Sequence, residues 1–364
     1  MLDPVIEFFE RIFHAIGRGV GMLISLILWP FVTVAAWYRQ RGFMLKVIVG
    51  GIVFVFVGLY GYFFWQTQVW TGFDPDYPSK YETIASTPGT KGADGTCAPS
   101  AMVAMTADLI DFNVNENAWI SSMLLYKAGL FGVDWSHTPF FDNKAAFQRG
   151  VNQAIRRTTV EFVDTLGRVR GTSQVDGDLQ DARGAMQFDE YTWYLSWPFL
   201  PKTPTPSFYR TAIDDLQSFN DRLGRCEAIY DARTDNLVQF LDRIASDVGS
   251  TSAILRDRSE NYNGGWFDTR ADDRFWFSYG QLYGYYGILK ATREDFRDVI
   301  AQRNLAQLWD DMDAQLSAAL KIQPLIISNG NESGWIMPTH LATMGFYVLR
   351  FRSNLVEIRG TLDR

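Results

Sequence analysis

The sequence is poor in the residues that most often bind transition metals or act as nucleophiles. Among 364 residues there are two cysteines and three histidines, and they form no Cys-x-x-Cys or His-x-x-His pair. Transition-metal sites usually use closely spaced ligands of these types. His137, Asp134 and Asp142 form one conceivable ligand set, but we interpret the aspartates as helix caps. We therefore predict no metal and no cofactor.

Clustered basic charge is also missing from most of the chain. Residues 1–73 contain five basic and three acidic side chains, so with a total net charge of -7 the remainder carries -9. Phosphate binding needs clustered Lys and Arg. We therefore expect no nucleic-acid partner, and we do not expect the acidic part to lie flat on anionic lipid.

Two long segments near the N-terminus contain no charge at all, Gly19–Tyr38 and Val47–Gln66. A helix needs about 20 apolar residues to cross the bilayer core. The sequence therefore predicts a membrane anchor over 19–70, built on these two segments, with the lipid bilayer as a partner. Residues 1–18 alternate apolar and charged side chains at helical spacing, which is typical of an amphipathic segment at a membrane surface.

Two arrangements of the anchor remain open. In one, a two-helix hairpin turns through Tyr38–Lys46. In the other, Gly19–Tyr38 lies in the membrane plane and only Val47–Gln66 spans. Both leave the basic residues Arg39, Arg41 and Lys46 before the second segment, which predicts that the following domain lies outside the cytoplasm. The aromatic residues expected at the membrane interfaces are Trp37, Tyr38, Trp65 and Trp70.

The rest of the chain is predicted to be a linker followed by a helical domain. Residues 71–96 are rich in Pro, Gly, Ser and Asp and have no apolar periodicity, which indicates a linker. Residues 97–364 show apolar positions at helical spacing and no convincing alternating strands. The helices predicted there are Ala101–Phe112, Ala118–Leu130, Asn143–Arg170, Phe208–Leu223, Asn236–Arg256, Arg274–Ile300, Leu305–Leu320 and Pro338–Arg359. The predicted fold class is all-α, with an N-terminal transmembrane anchor of one or two helices followed by a helical extracytoplasmic domain.

Three blocks of this region resemble an uncharacterised bacterial inner-membrane protein family, a domain-of-unknown-function family. They are "DNKAAFQRGVNQAIRR" (Asp142–Arg157), "FWFSYGQLYGYYGILKATREDF" (Phe275–Phe296) and "PLIISNGNESGWIMPTHLATMGFYVLRFRSNLVEIR" (Pro324–Arg359). The resemblance implies an N-terminal transmembrane segment, a helical extracytoplasmic domain, and a location in the bacterial inner membrane with the C-terminal domain in the periplasm. It brings no catalytic residue and no substrate.

Cys97 stands just ahead of a predicted helix start, and three roles remain open for it. A thiol at a helix N-terminus can have a lowered pKa and act as a nucleophile, with His137 or His340 as its base. Outside the cytoplasm, two cysteines tend to pair, and Cys226 is the only possible partner. Both cysteines can also be unpaired structural thiols.

Aromatic residues are concentrated in two segments that also carry carboxylates such as Glu190 and Asp273. Aromatic faces beside paired carboxylates are typical of glycan sites, and peptidoglycan is the glycan of the periplasm. The alternative is plain packing, because glycines recur every three or four residues in the second segment. The residues predicted as a possible binding surface are Trp193, Trp197, Trp266, Trp276, Tyr279 and Tyr283.

The hypothesis we favour from the sequence is a membrane-anchored, periplasm-facing scaffold or accessory subunit of an inner-membrane or envelope protein complex. Its expected partner is another membrane protein. The alternative is a peptidoglycan-binding or peptidoglycan-cleaving envelope protein. The absence of a recognisable catalytic motif favours the first, and no single residue is assigned a catalytic role.

Overall fold

The protein is described here by a computed structural model. The residues that it describes are 3–78, 87–92, 95–130, 132–138, 141–168, 175–196, 200–331, 333 and 337–364. Within these ranges the regular structure is helical apart from one sheet, in which β1 (Leu195–Ser196) pairs antiparallel with β2 (Leu200–Pro201). The predicted all-α class is confirmed. The chain divides into two compact units, Met1–Tyr62 and Phe63–Arg364.

The first unit consists of two apolar helices. Helix α1 (Asp3–Arg39) is continuous through Pro30, and helix α2 (Phe43–Gln68) follows after a short connector. Phe13–Arg39 and Phe43–Gln68 are both long and apolar enough to cross a membrane, and the apolar 18-residue stretch that qualifies each of them contains no buried residue. The predicted amphipathic segment (residues 1–18) and the first predicted apolar segment (Gly19–Tyr38) are not separated by a break in the helix. Both belong to α1. Tyr38 donates a hydrogen bond to the carbonyl of Lys46 (2.8 Å) across the connector.

The second unit begins inside α2, which corrects the predicted domain start at residue 97. Phe63 is buried and packs against Trp135, with ring centroids 5.0 Å apart. The ammonium group of Lys144 donates to the carbonyls of Gln66 (3.0 Å) and Val69 (2.6 Å). The last carbonyls of a helix have no partner within the helix. Lys144 therefore caps the end of α2 with a buried cation, and burial lowers the pKa of Lys144 to about 8.

The first part of the predicted linker is also built into the second unit. The backbone N–H of Thr71 donates to the side chain of Asn117 (3.0 Å), and Tyr77 stacks on Tyr283 and donates to its carbonyl (2.8 Å). Trp70 packs against Phe147 and Trp276, so it belongs to the domain rather than to an exposed helix end. The linker prediction is wrong for 71–78, and 79–86 and 93–94 lie outside the described residues.

Ten further helices form the second unit, as far as it is described. They are α3 (Ala101–Asp111), α4 (Leu124–Ala128), α5 (Asn143–Glu161), α6 (Gly177–Met186), α7 (Thr205–Gly224), α8 (Thr234–Asn261), α9 (Ala271–Asp295), α10 (Arg297–Gln302), α11 (Ala306–Leu320) and α12 (His340–Leu362). Single π-helical turns extend α3 and α5, at Phe112–Glu116 and Phe162–Leu166. The predicted helix Ala118–Leu130 is instead a 3₁₀ turn, Ile120–Ser122, followed by α4. Helix α6 was not predicted, because its composition reads as a polar loop.

Helices α5 and α9 form the centre of the domain and approach each other very closely. A Cβ atom at Gly150 would lie 2.0 Å from the Phe277 carbonyl oxygen, and one at Gly280 would lie 2.1 Å from that of Phe147. Only glycine permits these backbone contacts. Gly284 contacts Val151 further along, so the two helices run in the same direction. Their N-terminal ends therefore lie together.

Candidate functional site

Three aspartates meet where α5 and α9 begin. Asp142 immediately precedes α5, and Asp272 and Asp273 lie in the first turn of α9. Asp142 occupies the N-cap position, but its side chain accepts no hydrogen bond from the helix, so the predicted capping role is wrong. Asp142 and Asp272 are buried instead, and neither carboxyl group has a hydrogen-bond donor among the described residues. We call Asp142, Asp272 and Asp273 the acid cluster.

Asp142 lies close enough to Asp273 and Asp272 for the negative charges of these groups to interact. Buried like charges that lie close together disfavour the ionised form of each carboxyl group. Burial, reinforced by Asp273 and Asp272, raises the pKa of Asp142 well above its usual range. Burial also raises the pKa of Asp273, and it raises that of Asp272 to about 7, with Asp273 adding to the effect. The acid cluster therefore holds at least one proton at neutral pH.

Two features limit the loss of stability that comes from burying these three carboxyl groups together. The guanidinium group of Arg149 lies 3.7 Å from the carboxylate of Asp273. In addition, the first N–H groups of α5 and α9 give this end of both helices a partial positive charge, which favours nearby anions. Arg149 acts on Asp273, yet all three aspartates keep at least one buried carboxyl oxygen without a hydrogen-bond donor among the described residues.

Asp273 forms part of the wall of an open cleft. The cleft has a volume of about 500 Å³, and its wall consists of Tyr126, Asp134, Arg149, Tyr191, Thr251, Ile254, Arg270, Asp273, Arg274, Phe277 and Ser278. The side chain of Asp273 is 14% exposed, whereas Asp142 is fully buried and does not line the cleft. Arg149 also donates a hydrogen bond to the hydroxyl of Tyr191 (2.9 Å). A ligand in the cleft would meet the carboxyl group of Asp273 beside three arginines and two tyrosines.

The acid cluster does not have the character of a metal site. No group of three or more His, Cys, Asp or Glu side chains in the described part of the chain could hold a metal ion. The set considered from the sequence, His137 with Asp134 and Asp142, is therefore not assembled as a ligand shell there. What the cluster can do chemically is retain and transfer a proton.

The two cysteines are joined in this structure. Cys97 and Cys226 form a disulfide with their Cα atoms 5.3 Å apart. Of the three roles considered for Cys97, the structure contains the bridge, which leaves no free thiolate to act as a nucleophile. His340 has a structural partner as well, because its Nδ1 accepts a hydrogen bond from the backbone N–H of Ser328 (2.9 Å).

The predicted aromatic surface is only partly at the surface. Trp266 is exposed, and Trp193 and Trp276 are half-buried. Tyr279 and Tyr283 are buried in the core and are corrected to packing residues, because the glycines of α9 bring neighbouring helices close around them. The hydroxyl of Tyr279 donates to the carbonyl of Leu320 (2.6 Å). Trp197 lies outside the described residues.

The acid cluster could not be recognised from the sequence. Asp142 and the Asp272–Asp273 pair are separated by about 130 residues, and each has an ordinary local explanation at a helix start. The one available signal was an Asp-Asp pair placed directly before the glycine-rich segment of α9. Nothing in either segment reveals that the two helix starts meet.

Comparison with known proteins supports the family resemblance. The chain matches the model of DUF2333, described as an uncharacterized protein conserved in bacteria, over residues 109–263 and 256–364. These ranges include the acid cluster and every residue that lines the cleft. No curated protein and no solved structure matches the chain.

Proposed function

Because the chain belongs to the DUF2333 family of uncharacterized bacterial proteins, we propose that it is a membrane-anchored scaffold or accessory subunit. In this proposal α1 and α2 hold it in the bacterial inner membrane, and its helical domain faces the periplasm. Its partner is another membrane protein of an inner-membrane or envelope complex.

The observation that carries the proposal is the presence of two exposed apolar helices where one would tether a domain. Gly17, Gly21 and Ser25 follow one another at intervals of four residues on α1, so they share one helix face. A Cβ atom at Gly17 or Gly21 would meet nothing within 4 Å. Small residues on one face allow a second membrane helix to approach closely. That face of α1 is therefore a suitable docking surface for a partner's membrane helix.

The charge distribution supports the orientation. Arg39, Arg41 and Lys46 flank the start of α2, and positive charge next to a span is retained on the cytoplasmic side. Residues after α2 then lie in the periplasm, which is also the compartment in which the Cys97–Cys226 disulfide is expected to persist.

The test is capture of a membrane partner by cross-linking in cells, followed by mass spectrometry. Exchanging Gly19–Tyr38 for an unrelated apolar span should abolish the cross-link while the domain remains folded and exported. Gly17→Ile combined with Gly21→Ile should have the same effect. Gly19→Ile is the matched control, because Gly19 lies on nearly the opposite face of α1. Capture that survives the span exchange contradicts the proposal.

A second function, binding or cleavage of peptidoglycan, is favoured by the cleft alone. Asp273 lines the cleft, and the buried Asp142 interacts with it electrostatically. A carboxyl group that keeps its proton at neutral pH can act as a general acid towards a glycosidic oxygen. Tyr126 and Tyr191 offer aromatic surface for a sugar ring.

Purified peptidoglycan sacculi separate the two functions. If the second function is correct, the protein without any partner should bind sacculi or release soluble fragments from them. Asp273→Asn should then remove the release, while the exposed control Asp311→Asn should not. If the wild-type protein neither binds nor degrades sacculi, the peptidoglycan function is excluded and the scaffold function is left.

A further inference from the structure

Two loops of the second unit expose large apolar side chains close to one another in the fold. Between α8 and α9, Trp266 is 57% exposed and Phe267 is 83% exposed. Between α11 and α12, Leu325 is 90% exposed and Ile326 is 47% exposed. Single exposed apolar residues are common, but a group of them usually marks a binding surface. We call these four residues the loop patch.

Hydrogen bonds join the two loops beside the loop patch. Gly265 and Asn329 exchange two backbone hydrogen bonds, of 2.9 and 3.2 Å, which join the two loops. The side-chain amide of Asn329 donates to the carbonyls of Arg258 and Tyr262 and to the carboxylate of Asp268. Arg258 in turn pairs with Asp268. The positions beside Trp266 and just after Ile326 are therefore fixed by hydrogen bonds between the two loops.

The loop patch lies at the end of the domain where α2 finishes. Trp70, two residues beyond α2, packs against Trp276 in the second turn of α9, with ring centroids 5.2 Å apart. The loop that carries Trp266 and Phe267 leads directly into α9. The hydroxyl of Tyr279, also on α9, bonds the carbonyl of Leu320, from which the second loop departs. The C-terminal end of α2 and both loops therefore lie around the first turns of α9.

We propose that the loop patch inserts into the interfacial region of the same bilayer that α1 and α2 cross. This inference rests on the membrane anchoring proposed above and adds a second contact with lipid. Trp and Phe are residue types that favour the boundary between headgroups and acyl chains. Arg270, exposed and three residues beyond Phe267, supplies a cation for lipid phosphate. The overall acidity of the domain does not oppose this contact, because the insertion depends on local apolar side chains.

The test uses the full chain in vesicles of phosphatidylethanolamine and phosphatidylglycerol. Phe267→Cys carries an environment-sensitive fluorophore on the new thiol, and lipids with a nitroxide near the top of the acyl chain act as quencher. Val356→Cys is the matched control, because Val356 is exposed but lies in the last turns of α12. Val53→Cys, exposed in the middle of α2, reports on the anchor itself.

We expect quenching at position 267 to be several-fold greater than at position 356. Equal, weak quenching at 267 and 356 overturns the inference, and strong quenching at 53 in the same vesicles shows that the anchoring stands. Absence of quenching at 53 overturns the anchoring and the inference together. Leu325→Cys is a second reporter, on the other loop, and should follow position 267.

Discussion

The two ends of helix α9 hold buried aspartates in opposite surroundings. At its C-terminal end, Asp295 accepts hydrogen bonds from the hydroxyl of Ser100 (2.5 Å) and from the backbone N–H groups of Ala101 (2.8 Å) and Met102 (3.2 Å). At its N-terminal end, Asp272 and the adjacent Asp142 have no such donors among the described residues. Burial is nearly the same at both ends, so the donors at one end and the neighbouring carboxyl groups at the other make the difference.

The consequence is visible in the pKa values. Burial raises the pKa of Asp295 only to about 6, because the hydroxyl of Ser100 and the first N–H groups of α3 stabilise the charged form. Burial with like charges raises the pKa of Asp142 much further. Asp295 therefore joins α9 to α3 and supports the fold. The acid cluster costs stability, and such costly buried groups beside a cleft are typical of functional sites.

The two ends also differ in what surrounds them. The disulfide Cys97–Cys226 lies just ahead of α3, near Asp295. The other end carries the cleft and the loop patch. The contacts that stabilise the fold therefore lie at the C-terminal end of α9, and the two proposed binding surfaces lie at its N-terminal end.

Loss of the disulfide should give the largest effect. The bridge closes a loop of 129 residues, and the chain-entropy model assigns about 5 kcal/mol to a loop of this length as an upper estimate. Cys97→Ala combined with Cys226→Ala should lower the free energy of unfolding by about 3–5 kcal/mol in urea denaturation. Reduction of the wild-type protein should give a similar loss. An unchanged urea midpoint would mean that the disulfide does not stabilise the fold.

Asp295→Asn should give the next largest loss. The amide can accept at one oxygen only, and its NH₂ group would face either the N–H of Ala101 or the N–H of Met102 together with the hydroxyl of Ser100. We expect the free energy of unfolding to fall by about 3 kcal/mol, since buried donors lose a charged acceptor. The exposed control Asp311→Asn should change it by less than about 0.5 kcal/mol. If both variants behave alike, Asp295 does not support the fold.

Asp142→Asn should have the opposite sign. At neutral pH the unfolded chain ionises Asp142, whereas the folded state keeps its proton, and this difference favours unfolding. Asparagine removes the difference while keeping the shape, so we expect a gain of about 1–3 kcal/mol at pH 7. The measurement is again urea denaturation. A loss of stability would mean that Asp142 contributes to the fold in the same way as Asp295.

A smaller effect is the pH dependence of that gain, which tests the protonation of the acid cluster. A carboxyl group whose folded pKa is raised contributes full stability below its unfolded pKa, and this stability is lost as the pH rises towards the folded pKa. The gain from Asp142→Asn should therefore be close to zero below about pH 4 and grow as the pH rises to 8. Asp272→Asn should show growth that levels off near pH 7, the pKa of Asp272. A gain that is independent of pH would contradict the protonation assigned to the cluster.

The sequence predicted what depends on local pattern. Apolar spacing located most helices, and the glycines of α9 favoured close packing, which Gly280 and Gly284 show. The sequence did not reveal what depends on distant contacts. Residues 71–78 have no apolar periodicity, yet Tyr77 is bonded to α9 across more than 200 residues. Asp142 stands at a position typical of a helix cap. Its place in the acid cluster depends on Asp272 and Asp273, which lie about 130 residues away in the sequence.

Both the scaffold and the peptidoglycan functions require the domain to lie outside the cytoplasm. The most direct measurement is a pair of fusions to a phosphatase that folds to an active form only outside the cytoplasm. One fusion follows Arg364, and the other lies in the connector between α1 and α2, at Gly42. We predict activity for the first fusion and none for the second. Activity at the connector together with an inactive C-terminal fusion would contradict the orientation and both functions that depend on it.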